Sequence, residues 1–228
     1  MPSPTARSDS RLVLFDLDGT LVDSGPGIRA SIRHATTAVG LPEPTPEQLR
    51  DLIGPPFPAA FRDVLGVDVE TAEVMMAAYR QHYGGGAMFD VEPYEGIPEA
   101  LEDLAARGDV LAVTTSKPAG YAREIVEHLG LTALFAGGVH GAAHDGSVEG
   151  KAAVVGLALT QHANRHADGS MAGLVGDRHH DVEGARHHDL PCVGVSWGFG
   201  GRAELEAAGA VAVVDKPAEI AAALDDLG

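Results

Sequence analysis

Leu12-Val13-Leu14-Phe15-Asp16-Leu17-Asp18-Gly19-Thr20-Leu21-Val22-Asp23-Ser24 sets four apolar residues directly before two carboxylates one residue apart, then a glycine. An unbroken apolar run describes a strand buried on both faces, as in a parallel sheet. Side chains two apart on a strand point to the same side. Asp16 and Asp18 are therefore expected together where the first strand ends, the edge at which open α/β sheets bind ligands. Two adjacent anions at a buried edge are costly unless a cation joins them or one is protonated. Asp-Gly alone is a turn signal, but a turn requires one of these aspartates and not both.

Downstream of Ser24 the pattern turns helical. Pro26 suits a first helical turn, and Ile28, Ile32, Ala35 and Val39 recur at helical spacing before Gly40 and Pro42 stop the run. Thr45-Pro46-Glu47-Gln48 reads as a capping box. Helices are predicted over Phe57–Leu65 and Val69–Tyr83, with Asp68 as N-cap and Gly84-Gly85-Gly86 as a flexible joint. Residues 22–90 carry no strand pattern and are predicted to form an all-α insert. From Ile97 strands and helices alternate. Strands are expected at Val110–Thr114, Leu134–Val139, Met171–Val175, Cys192–Val195 and Val211–Val214, with helices between them. Such alternation implies right-handed crossovers and a parallel, Rossmann-like sheet covered by helices on both faces. Residues 11–21 and 91–228 would form this α/β core, and residues 1–10 a disordered lead-in.

The bulk numbers exclude several classes. The 228 residues are 45% hydrophobic, enough for a sizeable core, and the formal charge of −17 disfavours nucleic acid and acidic membranes as partners. No apolar segment of about twenty residues appears, and the polar start lacks the apolar stretch of a secretory signal. The single cysteine, Cys192, allows no intramolecular disulfide and suits a reducing cytoplasm; it follows Pro191 in an apolar run and is expected in the core. Lysine is rare, at 117, 151 and 216 only.

Four groups of interest fall at strand ends or helix starts: Asp16 with Asp18; Thr114-Thr115-Ser116-Lys117; Lys151; and Gly176-Asp177-Arg178-His179-His180-Asp181. The strand C-termini of a parallel sheet share one edge, so these groups can converge. Carboxylates, hydroxyls and a lysine around one opening suit a phosphoryl group and a divalent cation. Asp16 can attack phosphorus without a base and form an aspartyl-phosphate. Asp18 would protonate the leaving oxygen and then accept a proton from the hydrolytic water. Asp16, the Asp18 backbone carbonyl and Asp177 would hold a hard cation, Mg²⁺. Thr115 and backbone N–H groups near Gly19 and Ser116 would bind phosphate oxygens. Lys151 would offset charge, and Asp181 would hold either Lys151 or a metal-bound water. Lys117 is expected to cap backbone or to touch substrate. His179-His180 and His187-His188 flank one helix, but no spacing yields a zinc set with acids or cysteine; a solvated helix face is expected.

These motifs resemble the haloacid dehalogenase superfamily of hydrolases, in its phosphatase branch. Asp16-Leu-Asp18-Gly-Thr is similar to its first motif, Thr115-Ser116 to its second, Lys151 to its third and Gly176-Asp177-x-x-x-Asp181 to its fourth. The insert resembles the cap of its first subclass. Ile53-Gly54-Pro55-Pro56, Tyr94-Glu95-Gly96-Ile97-Pro98 and Trp197-Gly198-Phe199-Gly200 are similar to a bacterial group called phosphoglycolate phosphatase-like or 5′-nucleotidase-like. Ser116 stands where many relatives carry asparagine. The resemblance implies an aspartyl-phosphate mechanism, Mg²⁺, and a cap that closes over substrate to exclude water. Within the family a dehalogenase would not need Asp18, whereas a sugar-phosphate mutase would keep both aspartates. From another class, an aspartate-phosphorylated receiver carries its phosphorylated residue on a later strand and has no helical insert; a catalytically idle binding protein would not need every motif group. The substrate is expected to be a small phosphorylated metabolite selected by the insert, with Gly54, Pro55, Phe57 and Arg62, or Arg80, as candidate contacts. Oligomeric state is not readable.

Overall fold

The computed structural model describes residues 11–54, 57–143, 147–162 and 173–227. The lead-in 1–10, Pro55 and the first two residues of the strand predicted from Met171 lie outside them. In chain order the elements begin with β1 (Leu12–Phe15), β2 (Val22–Asp23), α1 (Gly25–Ala38), α2 (Pro46–Leu52), α3 (Ala59–Leu65), α4 (Val69–Gly84) and β3 (Glu92–Pro93). Next come α5 (Ile97–Ala106), β4 (Val110–Pro118), α6 (Ala119–His128), β5 (Val139–Ala142), α7 (Gly150–His162) and β6 (Gly173–Gly176). The chain ends with α8 (His179–Arg186), β7 (Cys192–Val195), α9 (Arg202–Ala208), β8 (Ala212–Val214) and α10 (Ile220–Asp225). The backbone divides into two compact units, Asp23–Glu92 and the remainder.

In the sheet unit the strand order is β5-β4-β1-β6-β7-β8, parallel throughout. The chain builds outward from β1 through β4 to β5, then returns to place β6 on the other side of β1. That reversal makes β1 and β6 the topological switch point, where such sheets bind ligands. Every residue of β1 is at most 1% exposed. Leu12 and Leu14 pack with Leu174, Cys192, Val155, Val182 and Leu205, while Val13 and Phe15 alternate to the opposite face and are equally buried. Each such side chain contributes about 1.5–3 kcal/mol. Cys192 is thus a core residue, and burial raises its thiol well above the usual range.

Two local expectations are corrected. The strand predicted over Leu134–Val139 begins where the prediction ends: Thr132–Leu134 is a 3-10 turn and β5 starts at Val139. Gly138 has φ +85, and a Cβ at Gly137 would overlap Ala112, so this approach is a turn rather than a strand. The block read as strandless, 22–90, begins in β2, which pairs with β3 just past the block's end as a two-stranded ribbon; strands of two residues are too short to show alternation.

In the helical unit α1 packs along α4, burying Ile28, Ile32 and Ala35 and, from α4, Ala72, Met75 and Tyr79. The Ser31 hydroxyl lies 3.0 Å from His82 Nδ1. Both predicted caps are present: Gln48 N donates to Thr45 Oγ1 (3.2 Å), Thr45 N to Gln48 Oε1 (2.9 Å) and Thr71 N to Asp68 Oδ1 (2.8 Å). The third helix starts at Ala59 rather than Phe57, with Pro58 as its N-cap.

Candidate active site

Asp16 is the first residue past β1, its N–H donating to Val175 O at 2.9 Å. The chain then turns sharply. Leu21 N and Val22 N both donate to Leu17 O, and Gly19, at φ +86, donates its N–H to Val22 O at 2.9 Å. The Gly19 amide is therefore engaged within the loop. Its missing side chain matters as well, because a Cβ there would overlap the Asp177 carboxylate.

Lys151 enters from the first turn of α7, just after Gly150 (φ +80). Its ammonium meets three acceptors: Asp16 Oδ1 at 2.5 Å, Asp181 Oδ1 at 2.7 Å and Thr114 O at 2.8 Å. Its stem fits because position 184 is glycine; a Cβ at Gly184 would overlap it. Asp181 therefore holds Lys151, and its other oxygen accepts from Arg178 N at 3.0 Å, closing the N-terminus of α8. Asp177, past the end of β6, accepts from Thr20 Oγ1 (3.3 Å) and Phe199 N (2.6 Å). Gly198 and Gly200 leave room for Asp177, and Gly176 for Asp181.

Carboxylate oxygens of Asp16, Asp177 and Asp181 lie within 4.8 Å of one another, all three residues buried. Burial pushes Asp16 up to about 7 against the pull of the Lys151 ammonium, with Asp181 and Asp18 adding to the rise. Burial, then Asp181 and Asp16, also push Asp177 well above the carboxylate range. Burial alone would discharge Lys151, but Asp16 and Asp181 outweigh it and hold the ammonium above its ordinary value. Three carboxylates facing one buried ammonium leave a formal excess of two negative charges. All-oxygen donors and that excess fit a hard dication.

Asp18 meets Lys117 Nζ at 2.8 Å. Lys117, read from sequence as a backbone cap or substrate contact, is instead nearly buried against the second aspartate. The shift of register after Thr115 in β4 accompanies this placement. Thr115 is buried, and its hydroxyl accepts from Lys117 N at 3.2 Å, leaving its own O–H to donate. Ser116 is exposed at the same strand end. Sequence reasoning missed Thr20 and the Phe199 amide as partners of Asp177, and Trp197, whose Nε1 donates to Thr20 O at 3.1 Å. Trp197-Gly198-Phe199-Gly200 was the available signal.

The expected contacts in the helical unit stand differently. Phe57 is half-buried, its ring stacked on Phe61 at 4.5 Å and tilted against Tyr79 at 4.9 Å, so it serves that unit's packing. Gly54, Arg62 and Arg80 are exposed, and Pro55 lies outside the described residues. Among the histidines, His188 Nε2 lies 2.7 Å from Ala152 O and ties the turn after α8 to α7. Burial, with His179 and Arg178 nearby, keeps His180 below the ordinary histidine range.

Fold and site together define an α/β enzyme whose buried acidic cluster, at the switch point of a parallel sheet, has the donors to hold a metal ion. Residues 13–195 match the haloacid dehalogenase-like hydrolase family, and the chain belongs to it. It is 36% identical over 195 residues to a 5′-nucleotidase of Pseudomonas aeruginosa, covering 86% of each chain. It is 40% identical over 190 residues to the tyrosine-protein kinase PtkA of Mycobacterium tuberculosis, covering 83% of this chain and 63% of that one. The crystal structure of a predicted phosphatase from Clostridium acetobutylicum superposes with a TM-score of 0.86 at 35% identity, covering 96% of this chain and 100% of that chain. Among the described residues no helix is long and apolar enough to cross a membrane.

Proposed function

We propose that the chain is a Mg²⁺-dependent phosphomonoester hydrolase of the phosphoglycolate phosphatase-like or 5′-nucleotidase-like kind. It acts on a small phosphorylated metabolite through an aspartyl-phosphate. The observation that carries this reading is the buried convergence of Asp16, Asp177 and Asp181 around Lys151 at the switch point.

An Asp16 carboxylate oxygen attacks phosphorus, and the bond from phosphorus to the leaving oxygen breaks. Asp18 gives that oxygen a proton, so the alcohol departs neutral. Water then attacks phosphorus, Asp18 takes a proton from it, and inorganic phosphate leaves with Asp16 restored. Lys117 keeps Asp18 in place through their 2.8 Å contact. Lys151, held by Asp181 and Thr114 O, aims Asp16 and offsets charge on the phosphoryl oxygens. The Thr115 hydroxyl and N–H groups at Ser116 serve as further donors. Asp16, the Asp18 carbonyl and Asp177 would hold Mg²⁺, which when bound neutralises phosphoryl charge. The helical unit, 23–92, is the substrate-selecting cap in this reading, with Gly54, Pro55, Phe57 and Arg62 as candidate contacts.

A panel of phosphate monoesters assayed with Mg²⁺ and with EDTA tests the proposal. Steady, Mg²⁺-dependent release of inorganic phosphate is expected. Transfer of the phosphoryl group to a sugar hydroxyl or to tyrosine in place of water, or turnover undiminished by EDTA, would overturn it.

A further inference from the structure

A second set of metal-ligating side chains converges outside the acidic centre. A ring nitrogen of His179, a ring nitrogen of His180 and a carboxylate oxygen of Glu183 lie within 4.8 Å of one another. Glu183 follows His179 by four residues and His180 by three, so both pairs are neighbours on a helix. The two imidazole centroids are 3.8 Å apart. Both histidines are half-exposed and Glu183 is exposed, so an ion can reach them. In sequence no zinc set was visible, because adjacent histidines normally diverge around a helix and nothing local announces the group that orients the first of them.

That group is Glu204, on α9. Its Oε1 accepts from His179 Nδ1 at 2.7 Å, from His179 N at 2.9 Å and from Arg178 Nε at 2.8 Å. An ionised carboxylate only accepts hydrogen bonds, so the imidazole proton sits on Nδ1 and the lone pair on Nε2. A carboxylate that fixes the tautomer and ring plane of a ligating histidine is the usual partner of a zinc-bound imidazole.

We propose that His179, His180 and Glu183 bind one borderline divalent ion, with Zn²⁺ as the reference, and that Glu204 is the orienting carboxylate. Two imidazole nitrogens and one carboxylate suit Zn²⁺, Co²⁺ or Ni²⁺, whereas the all-oxygen set of Asp16, Asp177 and Asp181 suits Mg²⁺. One short segment, 177–183, thus serves two cation chemistries. This site does not depend on the phosphatase reading.

The test is Zn²⁺ titration by calorimetry in excess Mg²⁺, with Co²⁺ absorption in the visible as a second readout of nitrogen ligation. One equivalent of Zn²⁺ per chain is expected. His180→Ala and Glu183→Gln, both at accessible positions, should each weaken it at least about tenfold. Glu204→Gln should weaken it roughly 10–100-fold, the usual cost of losing a carboxylate that orients a ligating histidine. Asp16→Asn and His187→Ala should leave it unchanged. The proposal fails if no Zn²⁺ binds in excess Mg²⁺, or if the His180→Ala/Glu183→Gln double variant binds as the parent does. It also fails if Asp16→Asn abolishes binding, which would put the ion in the acidic centre, or if His187→Ala does.

Discussion

The two ends of one sheet treat charge in opposite ways. At the N-terminal ends of β1 and β4, Arg11 grips Asp109 through two bonds of 2.7 and 3.0 Å and reaches Asp225 at 2.9 Å. Arg107 lies nearby, 2.6 Å from Asp103 and 3.4 Å from Asp225. Asp103, Asp109 and Asp225 each have a guanidinium partner, and the outer members face water. At the C-terminal ends, Asp16 and Asp181 share one ammonium, and the hydrogen bonds of Asp177 come from neutral donors. The first arrangement is complete as it stands. The second raises two carboxylates far from their ordinary range, a condition that structural pairing does not require and that clusters at functional sites.

The contrast breaks most directly at its acidic end. Asp16→Asn should lower phosphatase turnover by on the order of 10⁴-fold or more while far-UV circular dichroism stays unchanged. Activity within tenfold of the parent would remove the nucleophile role. Asp18→Asn should cost about 10²–10⁴-fold, and a mild effect there would remove the acid–base role.

Lys151→Met leaves Asp16 and Asp181 buried without their shared cation. A loss of about 3–5 kcal/mol in urea denaturation is expected. Adding Asp181→Asn should recover part of it, because one uncompensated carboxylate disappears.

Metal-free protein should also be less stable at neutral than at mildly acidic pH. The Asp16 carboxyl moves from an ordinary 3.8 to about 7 in the fold. Between those values the folded chain keeps a proton that the unfolded chain has released, so stability falls as pH rises from about 4 to about 7. For this group alone the loss is on the order of a few kcal/mol. Saturating Mg²⁺ takes the proton's place and should flatten or reverse the slope. Melting curves at pH 5 and pH 8, with EDTA or Mg²⁺, check this; a slope of the same sign and size in both would count against a cation at Asp16.

The smallest effect is expected at the balanced end. Arg107→Ala removes partly exposed pairs and should change stability by less than about 1 kcal/mol, with phosphate release at parental rate.

Much of this was legible before any coordinates. The unbroken apolar runs of β1 and β7 announced buried strands, and the Thr45–Gln48 and Asp68 caps announced helix starts, because these are signals a few residues long. Asp16, Thr115 and Asp177 stood out as polar groups where apolar runs end, and Lys151 and Asp181 as charged groups at helix starts. The start of β5 was misread because Gly137 and Gly138 answer to the packing of Ala112 and to a left-handed backbone, not to hydrophobic pattern. Lys117 was undervalued for a related reason: its partner Asp18 comes from a distant strand end.

By itself the sequence determined the class of fold and the inventory of the centre. Periodicity and strand-end chemistry are local, and parallel strands necessarily bring their C-termini to one edge. Only the tertiary structure decided which acid meets which ammonium, with Asp181 against Lys151 and Asp18 against Lys117, and that Asp177 is held by Thr20 and the Phe199 amide. It also decided that Glu204 aims His179 beside His180 and Glu183. Those pairings join residues far apart in the chain through glycine-sized gaps of a few ångströms, and no short stretch of residues carries that information.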